Sequence, residues 1–142
     1  MNKHTLHHGS VAVGDRLPEQ KIDITTGLIA GGAIASRDFT PVHHETKAAQ
    51  DVGLPDIFMN ILTSNGLMGR FVTDWAGPES TIKSIDLRLG APNVPGVVMT
   101  ITGEVVAKDD AAGTVDVSVT GENNVWGTHM SGVVRIELPK EA

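Results

Sequence analysis

In the stretch SRDFTPVHHET, Ser36 to Thr46, Asp38 and His43 stand five positions apart across a Thr-Pro turn. An ionised carboxylate accepts a hydrogen bond from water. An imidazole whose ordinary pKa lies near neutrality can take or give a proton, so the two residues suit general acid–base work on one shared water. Pro41 fixes a backbone torsion between them and disfavours helix at Thr40, which keeps both side chains turned to a common cleft. Taken alone, Asp38 would most often be a turn or capping residue. His44 directly follows His43 and is expected on another side of the chain, in a structural or substrate-facing role. His43, His44 and Glu45 are neighbours that do not readily converge on a metal, and no third partner is spaced for one, so no metal site is expected. Ser64 lies in a helical pattern, LTSNGLMG, that supplies neither the strained turn nor the base a serine nucleophile requires.

Several elements must position these residues. LPEQKIDIT, Leu17 to Thr25, contains an alternating stretch suited to an edge strand. TTGLIAGGAIAS then changes to helical spacing, with Thr25 or Thr26 as N-cap and an end before Asp38. HETKAAQDVGLP reads as a short polar helix stopped by Gly53 and Pro55. From Asp56 to Gly77 the spacing of Ile57, Ile61, Met68, Val72 and Trp75, widened by Phe58, Leu62 and Phe71, predicts a long, largely buried helix. Four strands follow. IKSIDLRL alternates through Lys83, Ile85, Leu87 and Leu89; GVVMTITGEVV is Val-rich; TVDVSVTG puts Val115, Val117 and Val119 on one face. In WGTHMSGVVRIEL, Met130, Gly132, Val134, Ile136 and Leu138 share a face and His129 falls on the opposite, polar one. This order describes an α+β hotdog fold, a curved antiparallel sheet wrapped around a long central helix.

The chain has 142 residues, the length of one domain, and 40% of them are apolar. It is read as one domain, 1–142, with residues 1–12, which carry His4, His7 and His8, as a flexible polar tail. With 11 basic and 17 acidic residues the net charge is −6, and the cations are scattered, which argues against nucleic acid as a partner. The absence of cysteine excludes disulfides, thiolate metal sites and a cysteine nucleophile, and fits the cytoplasm. No run reaches the ~20 apolar residues of a membrane span.

ITTGLIAGGAIASRDFTPVH, Ile24 to His43, resembles the signature of MaoC-like (R)-specific enoyl-CoA hydratases, in which a helix leads into Ser-Gly-Asp-x-Asn-Pro-x-His. Asp38, Pro41 and His43 fall on its Asp, Pro and His without a gap. RLGAPNVPG and ENNVWGTHMSGVV are similar to two later family segments. The chain departs from the pattern at Arg37, which replaces a Gly, at Thr40, which replaces an Asn, and at DIFMNIL, where the family has a His-Gly pair. RDFTPVHH, DIFMNILTSNGL and FVTDWAGPESTIKSIDLRLG look closest to the small catalytic subunit of two-subunit hydratases acting on steroid side-chain CoA thioesters.

The resemblance implies hydration of an enoyl-CoA thioester by Asp38 and His43, on a bulky acyl group. Backbone N–H groups around Met59 and Asn60 would steady the thioester oxygen, and Thr40 and His44 would lie near the substrate. CoA arrives with the substrate, so no cofactor is implied. Exposed sheet edge and apolar helix surface predict at least a dimer, either a homodimer or a heteromer with a second hotdog subunit. Arg37, Lys83, Arg88 and Lys108 are candidates for the CoA phosphates. Gly31, Gly32, Gly66 and Gly69 fit either a wide acyl tunnel or close packing. Two other functions remain compatible with the fold: a hotdog acyl-CoA thioesterase, and a non-catalytic acyl-binding subunit.

Overall fold

In the computed structural model, which describes residues 4–140, β1 (Arg16–Asp23) is followed by α1 (Thr26–Ala35), α2 (Thr46–Asp51) and α3 (Ile61–Ala76). The strands β2 (Thr81–Leu89), β3 (Val98–Asp109), β4 (Thr114–Asn123) and β5 (Gly127–Glu137) complete the chain. They form one antiparallel sheet in the order β1-β3-β4-β5-β2, so β1 is an edge as its short alternating pattern predicts. Val115, Val117 and Val119 of β4 and Met130, Val134 and Ile136 of β5 are buried, and they meet Leu67, Met68, Phe71 and Val72 of α3 in one core. The sheet thus wraps the long helix in the expected hotdog arrangement. No helix among the described residues is long and apolar enough to cross a membrane.

Four expectations are corrected. The long helix starts at Ile61 rather than near Asp56, because Asn60 (φ −77°, ψ 159°) adopts the extended N-cap conformation and its Oδ1 accepts from the Thr63 N–H at 2.9 Å. Ile61 and Leu62, expected in the buried stripe, are each 51% exposed, since they form the first turn at the open end of the helix. The alternation of β2 breaks at a register shift between Ile82 and Ser84. Ile82, Ile85 and Leu87 pack on the core, while Lys83 pairs with Glu137 and Leu89 is exposed.

Residues 4–12 are not a loose tail either. The Leu6 N–H donates to Ala76 O, the His8 N–H donates to Pro139 O at 2.9 Å, and Val11 is buried. Residues 1–3 of that stretch lie outside the described residues. Gly77 ends α3 at φ 96°, and a Cβ there would sit 2.5 Å from Thr5 Cα, so the N-terminal segment passes over this glycine.

Two of the helical glycines report close packing. A Cβ on Gly32 would meet Thr63 Oγ1 at 2.2 Å, which is how closely α1 approaches α3, and one on Gly69 would meet Ile85 and Ile82 at 3.2 and 3.3 Å. Gly31 and Gly66 are exposed and have nothing within 4 Å of that position.

Candidate active site

Thr25 caps α1 by accepting from the Leu28 N–H at 3.0 Å, and the helix unwinds at Arg37, whose φ of 57° lies in the left-handed region. That conformation is costly for a side-chain-bearing residue, and it turns the chain so that Asp38 follows immediately, with its own N–H on Ala33 O at 2.9 Å. Thr40 is extended (φ −61°, ψ 127°), as a residue before proline should be, and Pro41–His43 form a single 3-10 turn. The turn buries His43. Its Nδ1 lies 2.6 Å from Phe58 O, a carbonyl that can only accept, so Nδ1 carries a hydrogen and Nε2 is the nitrogen presented to Asp38. Phe58 also meets the imidazole edge to face, with ring centroids 5.0 Å apart.

Asp38 Oδ2 and His43 Nε2 are 3.2 Å apart, with the carboxylate 24% and the imidazole 8% exposed. The carboxylate is fully furnished with donors. Thr40 Oγ1 donates to Oδ1 at 2.7 Å, the Thr40 N–H donates to the same oxygen at 3.3 Å, and Asn60 Nδ2 donates to Oδ2 at 3.0 Å. These bonds, led by the Thr40 hydroxyl and then the Asn60 amide, lower the Asp38 pKa to about 2 against an opposing desolvation effect, with a smaller contribution from the charge of His43. The residue is therefore a carboxylate at neutral pH.

The pair opens on a cavity of about 430 Å³, lined by Phe58, Met59, Asn60 and Ile61 on one side and by Leu89, Gly90, Ala91, Pro92 and His129 on the other. Asp38, His43, Met59 and Asn60 are thus brought together. Met59, however, is not a free donor: its N–H is committed to Asn93 O at 2.9 Å, which corrects its expected role. Thr40 supports Asp38 and is not among the lining residues, and His44 stands outside, half-exposed beside Glu45. Among the cations considered for CoA phosphates, Lys108 donates to His8 O and Val11 O and Lys83 pairs with Glu137, whereas Arg37 and Arg88 are exposed.

His129 is the main residue that the strand pattern misplaces. It is 2% exposed and lines the cavity, where an outward, polar position was expected. The cause is a register shift: Gly121 pairs with Met130 but Glu122 pairs with Thr128, so His129 is an extra residue on β5 and turns inward. Its Nδ1–H donates to Ala91 O at 2.7 Å, and its Nε2 accepts from Ser64 Oγ at 2.8 Å. Ser64 is fully buried, so this pair braces α3 against β5 and does not offer a nucleophile. Asn123 reaches Pro92 O and Asn93 Oδ1 in the same way and holds the segment before β3.

Burial lowers the pKa of His129 from the ordinary 6.5, opposed by its bond to Ala91 O. Between the lowered value and 6.5 the unfolded chain binds a proton that the folded chain does not, so folding stability falls as pH drops below about 6.5. Urea midpoints taken from about pH 7.5 to about pH 5.5 should decline, and His129→Asn should flatten that slope.

The profile of the MaoC like domain matches residues 10–126. The chain belongs to the MaoC-like family. Within it, the chain is 45% identical over 126 residues, 89% of its own length and 95% of the relative's, to a Mycobacterium tuberculosis protein named 3-oxo-4,17-pregnadiene-20-carboxyl-CoA hydratase beta subunit. A crystal structure of the ChsH1-ChsH2 complex from the same organism matches with a TM-score of 0.86 at 45% identity, covering 89% of this chain and 98% of that one. The unliganded R-hydratase PhaJ1 of Pseudomonas aeruginosa shares the MaoC-like fold at a TM-score of 0.84 and 21% identity, over 96% of this chain and 88% of that one.

Proposed function

We propose that this chain is a hydratase that adds water across the α,β double bond of an enoyl-CoA thioester bearing a steroid side-chain acyl group. It would act in the cytoplasm, as the cysteine-free sequence suggests, and beside a second hotdog subunit. The observation that carries the chemistry is the 3.2 Å approach of an ionised Asp38 to His43 Nε2 at the cavity. The substrate class and the heteromer rest on the likeness to the M. tuberculosis hydratase subunit and to the ChsH1-ChsH2 complex.

In this reading one water is held by Asp38 Oδ2 and His43 Nε2. Its oxygen bonds to the β carbon while a proton passes to the pair, and the α carbon receives a proton from the pair, so the net change is addition of one water. No cofactor is needed, because CoA enters with the substrate.

Negative charge builds on the thioester oxygen during attack. The N–H groups of Ile61 and Leu62 have no intrahelical acceptor, lie at the positive end of α3, and belong to the turn in which Ile61 lines the cavity, so they are the donors this reading favours. A thioesterase has no comparable use for a proton-donating His43.

The test is the loss of enoyl-thioester absorbance for a steroid side-chain enoyl-CoA and for crotonyl-CoA, with the chain alone and with its second subunit. Turnover of the steroid thioester is expected. Release of free CoA from a saturated acyl-CoA would favour a thioesterase, and silence on both enoyl substrates in both states would leave an acyl-binding subunit.

A further inference from the structure

Asn60 does more than begin a helix. Its Oδ1 accepts from the Thr63 N–H at 2.9 Å and from Thr63 Oγ1 at 2.5 Å, while its Nδ2 donates to Asp38 Oδ2 at 3.0 Å and to Ser36 Oγ at 2.9 Å. Both halves of one amide are therefore in use, and the residue is 2% exposed. The contact to Ser36 leads back into α1, where Ser36 Oγ donates to Gly32 O at 2.8 Å. Thr63 closes the loop from the other side, because it fills the space left by the missing side chain of Gly32. The end of α1, the acid–base turn and the start of α3 thus meet on a single side chain.

We infer that Asn60 is a positioning residue of the acid–base pair: its amide hydrogens aim and hold the Asp38 carboxylate toward His43, while its carbonyl oxygen fixes the α3 turn that carries the free N–H groups. The inference deepens the hydratase reading and rests on it for its catalytic meaning. It makes the carboxylate and the thioester-oxygen donors one rigid unit, so neither can shift without the other.

Few other charges bear on this carboxylate. His43 faces it from the 3-10 turn, and among the described residues His129 is the only other titratable group lining the cavity. α1 carries no charged residue; Arg70 and Asp74 of α3 pair with one another, as do Lys47 and Asp51 of α2, and Arg37 is exposed. The donors on Asp38 are thus the main control on its protonation.

Two variants test this in the full chain with its second subunit. Asn60→Ser keeps a hydroxyl that can cap α3 but removes the amide donor, and Asn60→Asp keeps both cap acceptors while setting a second carboxylate against Asp38. Titration of the Asp38 carboxyl by ¹³C NMR should move upward by about one unit in Asn60→Ser and further in Asn60→Asp. kcat should fall about tenfold to hundredfold with a smaller change in KM. An Asp38 titration unmoved in both variants, with losses only in melting temperature, would overturn the inference and leave Asn60 a helix cap. The carboxyl titration needs no turnover, so failure of the hydratase reading in the wild type would be seen separately.

Discussion

Asp38→Asn is expected to lower kcat for hydration of the steroid side-chain enoyl-CoA by about 10³-fold, while the folded chain keeps a melting temperature close to that of the wild type. The substitution preserves the size of the side chain and can keep the Thr40 hydroxyl bonded to its carbonyl oxygen. What it removes is the anion. Oδ2 accepts from Asn60 Nδ2 and faces His43 Nε2, and an NH₂ group in that place would point a donor at a donor. A water there would lose its acceptor. Steady-state loss of absorbance, with thermal unfolding of the same samples, checks the expectation; a variant that keeps a tenth or more of wild-type kcat would remove Asp38 from the mechanism.

The second large effect is on folding. Gly132 of β5 pairs with Leu87 of β2, and a Cβ at this position would lie 1.8 Å from Asp86 O and 2.9 Å from Asp86 C. The obstacle is backbone on both sides, so no rotamer change clears it, and the β2–β5 ladder must part locally. Gly132→Ala should cost about 3 kcal/mol or more, a fall in melting temperature of about 10 °C. Gly66→Ala is the matched control. The position is exposed, within α3, and open beyond 4 Å, so alanine there should gain up to about 1 kcal/mol. Equal behaviour of the two variants in thermal melts would contradict the packing described for the sheet edge.

What was legible in the sequence follows the range of the interactions. The Asp38–His43 turn is built from bonds spanning a few residues, Thr40 to Asp38 and the 3-10 turn at Pro41, so its geometry was legible in the six letters from Asp38 to His43. The cap of α1 at Thr25, the end of α3 at Gly77 and the order of strands were accessible for the same reason.

The misread features depend on distant partners. The start of α3 is decided by Asn60, which serves Thr63 ahead of it and Asp38 twenty-two positions behind it. The N-terminal segment is held by Ala76 and Pro139. His129 escaped because strand periodicity assumes a regular ladder, and one extra residue puts the positions before Met130 out of phase with those after it.

That extra residue ties hairpin length to chemistry. Surface hairpins ordinarily tolerate gain or loss of a residue. Here a one-residue deletion within Thr128–Met130 would let β4 and β5 close into an uninterrupted ladder, with Val117, Val119, Val134 and Ile136 still in the core. The sheet would be more regular and would have lost the side chain that joins α3 to Ala91 at the cavity wall. Insertions and deletions at this hairpin would therefore be selected through the cavity and not through the fold, and a shortened descendant could remain a well-formed protein with nothing left to do.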